Sequence, residues 1–245
     1  MATSTATNGP LLTLPPELRP NVDHLVTEDD APLDNVFSEK QQRLLTEPLY
    51  SSWSDPAQNR PFVAMANVGL FWSVRRPPYV PDALLSVDVE LSADLWPKAH
   101  RSYFIWDYGK APDIVIEVVS NRQGSEDTEK LAGYARVGVR YYAIFDPGKL
   151  LDEEVLRVYR LEGLALQKME GPAWFPDIGL GLEIWQGRYE DHDNTWLRWV
   201  DPEGRLIPSG RERAESERQR AESEHQRAER LAAQLRQLGI EPQEP

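Results

Sequence analysis

Two carboxylates and a lysine carry the chemistry this sequence can offer. Asp82 follows Pro81 at the mouth of an apolar run, and Glu117 lies inside another, Asp113–Val119 (D-I-V-I-E-V-V). Lys130 follows, early in a stretch of helical character. A charge inside an apolar strand must be paired, protonated or bound to a metal. The alternating face Val115, Glu117, Val119 is otherwise apolar, which disfavours simple solvation of the carboxylate. If the strands bearing Asp82 and Glu117 are neighbours, their oxygens converge into a hard-ligand site suited to Mg2+ or Mn2+. Such an ion holds a scissile phosphate, activates water and neutralises developing charge. A nearby lysine orients that water or stabilises the transition state. The competing reading makes Asp82 a turn cap and Glu117 an outward-facing strand residue.

Other chemistries lack their residues. The chain has no cysteine, which removes disulfides, thiolate ligands and thiol nucleophiles and fits a reducing cytoplasm. There is no GxxxxGK[ST] or GxGxxG phosphate loop, no HExxH and no GxSxG. His24, His100, His192 and His225 are scattered without ligand spacing, so each reads as a surface residue.

The elements that must position Asp82, Glu117 and Lys130 follow from pattern. Ala111–Pro147 predicts strand, turn, helix, strand. Asp113–Val119 is nearly continuous in β-branched residues, as in a strand covered on both faces. Ser125 is expected to cap a helix over 126–137, with Glu126, Asp127 and Glu129 at the positive end of its dipole and Gly138 ending it. Arg140–Phe145 is the next strand, turned by Asp146-Pro147-Gly148. Upstream, Phe37–Trp53 starts as a helix, with Ser38 as N-cap and Gln41 at capping-box spacing. Phe37, Gln41, Leu44, Leu45 and Leu49 make its stripe, and Pro48 is expected to kink or end it.

Residues 60–74 predict one long strand, in which Gly69 marks a bulge or a close neighbour. Asp82–Glu90 predicts another, with Asp88 and Glu90 facing outward. Leu91–Gly109 is irregular and aromatic. Val155–Leu161, Leu164–Met169 and Leu180–Trp185 read as antiparallel strands, with Trp174, Phe175, Trp185, Trp196 and Trp199 at core or rim. Asp201–Gly204 is a tight turn.

Pro81-Asp82, the run P-D-I-V-I-E-V-V-S (Pro112–Ser120), Glu129-Lys130, Tyr134, G-V-x-x-Y-x-x-x-D-P (Gly138–Pro147) and V-x-x-Y-R-L (Val155–Leu161) together resemble the Uma-two family of restriction endonucleases, within the PD-(D/E)XK nuclease superfamily. The resemblance covers roughly residues 60–200. It implies a mixed α/β fold, a restriction-endonuclease-like central sheet flanked by helices, and Mg2+-dependent hydrolysis of DNA phosphodiesters. Asp82 matches the first strand acid and Glu117 the second. The usual lysine position, two residues after Glu117, holds Val119, so Lys130 from the following helix is the candidate replacement. The superfamily's acid on the first helix would be Glu39 or Glu47, with Glu39 preferred because Pro48 disturbs the geometry at Glu47. Gln123 and Asp127 fit turn and cap roles better than site roles. The displaced lysine leaves a second reading, an inactive nuclease fold that binds and assembles.

Three segments are expected: an irregular Pro-rich arm over 1–36, the nuclease-like domain over 37–208, and a charged helical tail over 209–245. The tail repeats every seven residues (R-A-E-S-E-R-Q, R-A-E-S-E-H-Q, R-A-E-R-L-A-A). Its seam of Ala214, Ala221, Ala228 and Leu235 beside Glu217, Glu224, Leu231 and Leu238 suits a weak homo-oligomerisation element better than a strong coiled coil. Glu–Arg pairs three or four apart support the helix itself. The formal net charge of −13 argues against broad adhesion to a phosphate backbone and leaves room for a local basic groove. No apolar run reaches the ~18 residues of a membrane span. Met1–Pro20 lacks the basic start and apolar stretch of a signal peptide, so a cytoplasmic protein is expected.

Overall fold

The β-branched run Ile114–Val118 is buried on both faces and lies at the centre of a mixed sheet. The computed structural model describes residues 13–26, 35–53, 60–120 and 128–237. The helices are α1 (Val36–Ser51), α2 (Ile105–Tyr108), α3 (Glu129–Val137) and α4 (Gly210–Gln237). The first strands are β1 (Phe62–Ala66), β2 (Leu70–Phe71), β3 (Ala83–Val87), β4 (Tyr103–Phe104), β5 (Ile114–Val118) and β6 (Tyr141–Phe145). They are followed by β7 (Leu156–Glu162), β8 (Ala165–Lys168), β9 (Trp174–Phe175), β10 (Leu180–Tyr189) and β11 (His192–Val200).

The main sheet has six strands in the order β1-β3-β5-β6-β7-β8. Only β5 and β6 run parallel, because α3 carries the chain back across the sheet between them; the other pairs are antiparallel. Gly138 makes that crossover short. It closes α3 in the left-handed region (φ 89°), and Val139 then enters the core directly. On one sheet face, Leu85, Ile116, Ala143 and Phe145 pack beneath α1 and the β9–β11 sheet, meeting Leu45, Leu49, Phe175, Leu180 and Trp199. On the other, Leu84, Val115, Tyr142 and Ile144 pack against Tyr134 and Val139. The mixed α/β class, with a six-stranded sheet flanked by helices and a long C-terminal helix, is as the sequence led one to expect.

Several boundaries differ from the pattern, each for a local reason. Asn35, not Ser38, caps α1, accepting from the Ser38 amide at 3.0 Å. Pro48 does not end that helix, which runs on to Ser51. Its last turn is held by buried Leu49 and by the Tyr50 hydroxyl, which donates to the Ala64 carbonyl and accepts from the Ala64 amide. The long strand expected over 60–74 is two pieces, because Asn67 turns left-handed (φ 56°) between β1 and β2. Gly69 there meets a close neighbour: a Cβ would lie 2.8 Å from the Phe71 ring. β3 stops at Val87 because Asp88 is left-handed (φ 60°) and is gripped by Arg60, whose Nε donates to it at 2.7 Å. Asp88 is therefore paired and half-buried, not simply outward-facing; Glu90 is exposed.

Pattern missed β11 altogether. It forms a long hairpin with β10 around Glu190 and Asp191, both at positive φ (44° and 66°), a primed-turn geometry without its usual Asn-Gly signal. Within the expected arm, the described residues 13–26 place Val22 and Leu25 in a small cluster with Phe71 and Phe104. The turn at 121–124, the cap Ser125 and the acids Glu126 and Asp127 lie outside the described residues. No described helix is long and apolar enough to cross a membrane.

Candidate active site

The antiparallel register of β3 and β5 pairs Ala83 with Ile116. One step further along the same register, Asp82 stands opposite Glu117, and directly opposed residues hold their Cβ atoms about 5 Å apart. Two carboxylates thus meet at the sheet centre. Both are buried, Glu117 at 2% exposure and Asp82 at 7%.

Each carboxylate is gripped from a different side. Asp82 Oδ2 accepts from the Val118 backbone amide at 2.7 Å, and Oδ1 accepts from Gln42 Nε2 of α1 at 2.7 Å. Glu117 is met by α3. Lys130 and Tyr134, one turn apart and so on one helix face, both point at it. Lys130 Nζ donates to Oε2 at 2.9 Å, and the Tyr134 hydroxyl donates to Oε1 at 2.6 Å. Gly133 lets the Tyr79 ring lie against this helix, since a Cβ would come 2.3 Å from the Tyr79 hydroxyl. Tyr79 in turn packs on Tyr134 with centroids 5.0 Å apart, covering its apolar side.

Burial dominates the electrostatics of Glu117. Desolvation pushes the Glu117 carboxyl up to about 8; Asp82 adds to the rise, while Lys130 and Tyr134 oppose it. Burial, reinforced by Glu117, holds the Tyr134 phenol well above its ordinary range, so it remains a hydrogen-bond donor at neutral pH.

The fold brings together Asp82, Glu117 and Lys130 and leaves Glu39 elsewhere. Glu39 faces solvent on α1 and pairs with Arg43 at 2.7 Å, its side chain 51% exposed. Glu47 accepts from the Gly210 amide at the start of α4. The α1 residue that reaches the carboxylates is Gln42, which shares the buried face with Leu45 and Leu49. Its neighbour Gln41 is turned to β11, where it exchanges two hydrogen bonds with the Leu197 backbone. Gln42 and Tyr134 were both missed as site residues. The available signals were a glutamine three residues ahead of Leu45 on the apolar stripe and a tyrosine one turn after Lys130. Gln123 and Asp127 lie outside the described residues.

Among the described residues no group of three or more His, Asp or Glu side chains is clustered for a metal. A pair of carboxylates is nonetheless the donor set that Mg2+ commonly takes, with water and substrate phosphate filling the remaining positions. The Asp82–Glu117 pair fits that description: hard oxygens, buried, with Lys130 at the rim.

Residues 29–186 match the family model Uma2, described as "Putative restriction endonuclease". The matched span contains Gln42, Asp82, Glu117, Lys130 and Tyr134. No curated protein matches the chain.

Proposed function

This chain belongs to the Uma2 family, within the restriction-endonuclease-like superfamily, and from that premise we propose that it hydrolyses DNA phosphodiester bonds with Mg2+ or Mn2+ at the Asp82–Glu117 pair. The observation that carries this reading is the pair itself, two buried carboxylates opposed across β3 and β5 with Lys130 in contact. A cation at such a site supplies Lewis acidity to the scissile phosphate and acidifies a bound water. Asp82 and Glu117 hold it. Gln42 and the Val118 amide orient the Asp82 carboxylate, and Tyr134 orients that of Glu117. In this reading Lys130 takes the role of the superfamily's usual lysine. Its place in the sequence two residues after Glu117 is taken by Val119, buried in the core, and the amine arrives from α3 instead. With a 27% exposed side chain, Lys130 can leave Glu117 to position the attacking water and offset charge on the phosphate.

The proposed nuclease domain is 37–208, and 209–245 is a separate helical tail. The proposed location is the cytoplasm, with DNA as the macromolecular partner. We assign the tail an assembly role: α4 has no buried residue, and beyond its first turn, which is fastened to the domain through Gly210, Glu212 and Arg213, most of its described heptad residues are exposed. Light scattering tests that part, with fewer subunits per particle expected after deletion of 214–245, which leaves the Arg198–Glu212 pair in place. The activity is tested by incubating purified full-length protein with plasmid DNA in Mg2+, Mn2+ or EDTA. Nicked or linear product with either metal and none in EDTA is expected. Intact DNA under every condition, from folded protein, supports instead a non-catalytic nuclease fold.

A further inference from the structure

Outside the carboxylate site, the most unusual placement of an apolar side chain is Trp96. It is 82% exposed in a chain whose other described tryptophans are buried or half-buried. The loop around it is built, not loose. The Trp96 amide donates to Asp94 Oδ1 at 3.0 Å, and Arg101 Nε donates to the Trp96 carbonyl at 2.8 Å. The Arg101 guanidinium lies 5.0 Å from the indole centroid, so it covers one ring face and leaves the other to solvent. Two side chains of the same turn, Lys98 and Arg101, are basic.

The loop is also stitched to the site. Tyr103, two residues after Arg101, donates its amide to the Gly69 carbonyl at 2.9 Å. Asn67, two residues before Gly69, donates its amide to the Pro81 and Asp82 carbonyls at 3.2 and 3.3 Å. Two short backbone links therefore join the indole's loop to the residue that opens the carboxylate pair.

We propose that Trp96, backed by Arg101, is a stacking platform for an unpaired nucleobase of the DNA strand that enters the carboxylate site. A flat aromatic face with a cation behind it takes any base, because every base has a π-face, and the neighbouring basic side chains accompany the adjoining phosphates. The inference deepens the nuclease reading and rests on it for the identity of the partner. Full-length protein in EDTA is titrated into a fluorescein-labelled single-stranded oligonucleotide and, separately, an abasic oligonucleotide of equal length, with anisotropy as the readout. Wild type binds the base-bearing strand more tightly. W96A, which unfolds at the wild-type temperature, loses about 5- to 150-fold on that strand and little on the abasic one, and W96F restores most of the difference. Equal binding of the two strands by wild type, or an undiminished base preference in W96A, overturns the platform. Plasmid cleavage in Mg2+ is scored separately. Cleavage with no Trp96 effect sinks the platform and leaves the nuclease reading intact; a Trp96-dependent base preference without cleavage does the reverse.

Discussion

Two of the glutamates that sit beside cations in this fold, Glu212 and Glu117, are left in opposite states by their surroundings. Glu212, at the start of α4, is held by Arg198, whose Nη1 and Nη2 donate to its two oxygens at 2.8 and 2.6 Å. Arg198 is 2% exposed, and its guanidinium lies 4.7 Å from the Trp185 centroid. Ser209 completes a capping box, its amide donating to Glu212 Oε2 at 2.7 Å. Burial pushes the Glu212 carboxyl up, but Arg198 and Ser209 outweigh it, and the net shift is downward. For Glu117 burial wins, and the carboxyl rises to about 8 despite Lys130 and Tyr134. The difference lies first in burial, complete for Glu117 and partial for Glu212, and then in the partners: an arginine fork and Ser209 for Glu212, a single lysine countered by Asp82 for Glu117. A self-contained opposite-charge pair fastens one element to another. A buried carboxylate facing a second one is poor mortar, and the proposed cation would offset that cost.

Substitution at each place separates the two. E117Q and D82N are expected to lower Mg2+-dependent plasmid cleavage by about 100-fold or more while the protein stays folded. A rate within a few-fold of wild type would remove the carboxylate pair from the chemistry. K130A is expected to lose about 100-fold in cleavage while still binding Mn2+, because the lysine acts on water and phosphate, not on the metal's carboxylates. Loss of Mn2+ binding in K130A would make it a structural counterion instead. E212Q leaves Arg198 without its charged partner. It is expected to destabilise the fold by about 2 kcal/mol in urea denaturation, less than for a fully enclosed pair because solvent screens Glu212. Cleavage per folded molecule should not change.

pH separates them by sign. Glu117 has a folded pKa raised above its unfolded value of about 4.3. Its contribution in metal-free protein is present below the unfolded value and is lost as pH rises through about 8. Glu212 has a lowered pKa, so its contribution is present above about 4.3 and is lost as pH falls through the folded value. In EDTA, wild type should therefore lose ground to E117Q as pH climbs from about 5 to 9. Its advantage over E212Q should shrink below about pH 4. Parallel trends for the two variants would dissolve the contrast.

Much of the site's frame was legible because it rests on period. A β-branched run with one acid, a helix closed by glycine and a second strand place Glu117 on a covered sheet with α3 against it. Lys130 lies on the helix face that pattern offered. The acid expected on α1 failed for a chemical reason and not one of phase. The stripe Gln41, Leu44, Leu45 and Leu49 is the face that the fold buries, but the residue beside it that meets Asp82 is the amide Gln42, while Glu39 points to solvent and pairs with Arg43. β11 was illegible because its outer half is polar and its Glu-Asp turn carries no usual hairpin signal. Arg198 was hidden for the same reason: its partner arrives from a helix that composition alone assigned to a solvated tail.

The central claim is that Asp82 and Glu117 hold a divalent cation together. Titration calorimetry of Mn2+ into wild type, D82N and E117Q, with E212Q as the folded control, tests it most directly. The expected result is binding by wild type and E212Q that is abolished in both D82N and E117Q. Equal Mn2+ binding by all four proteins would contradict the account.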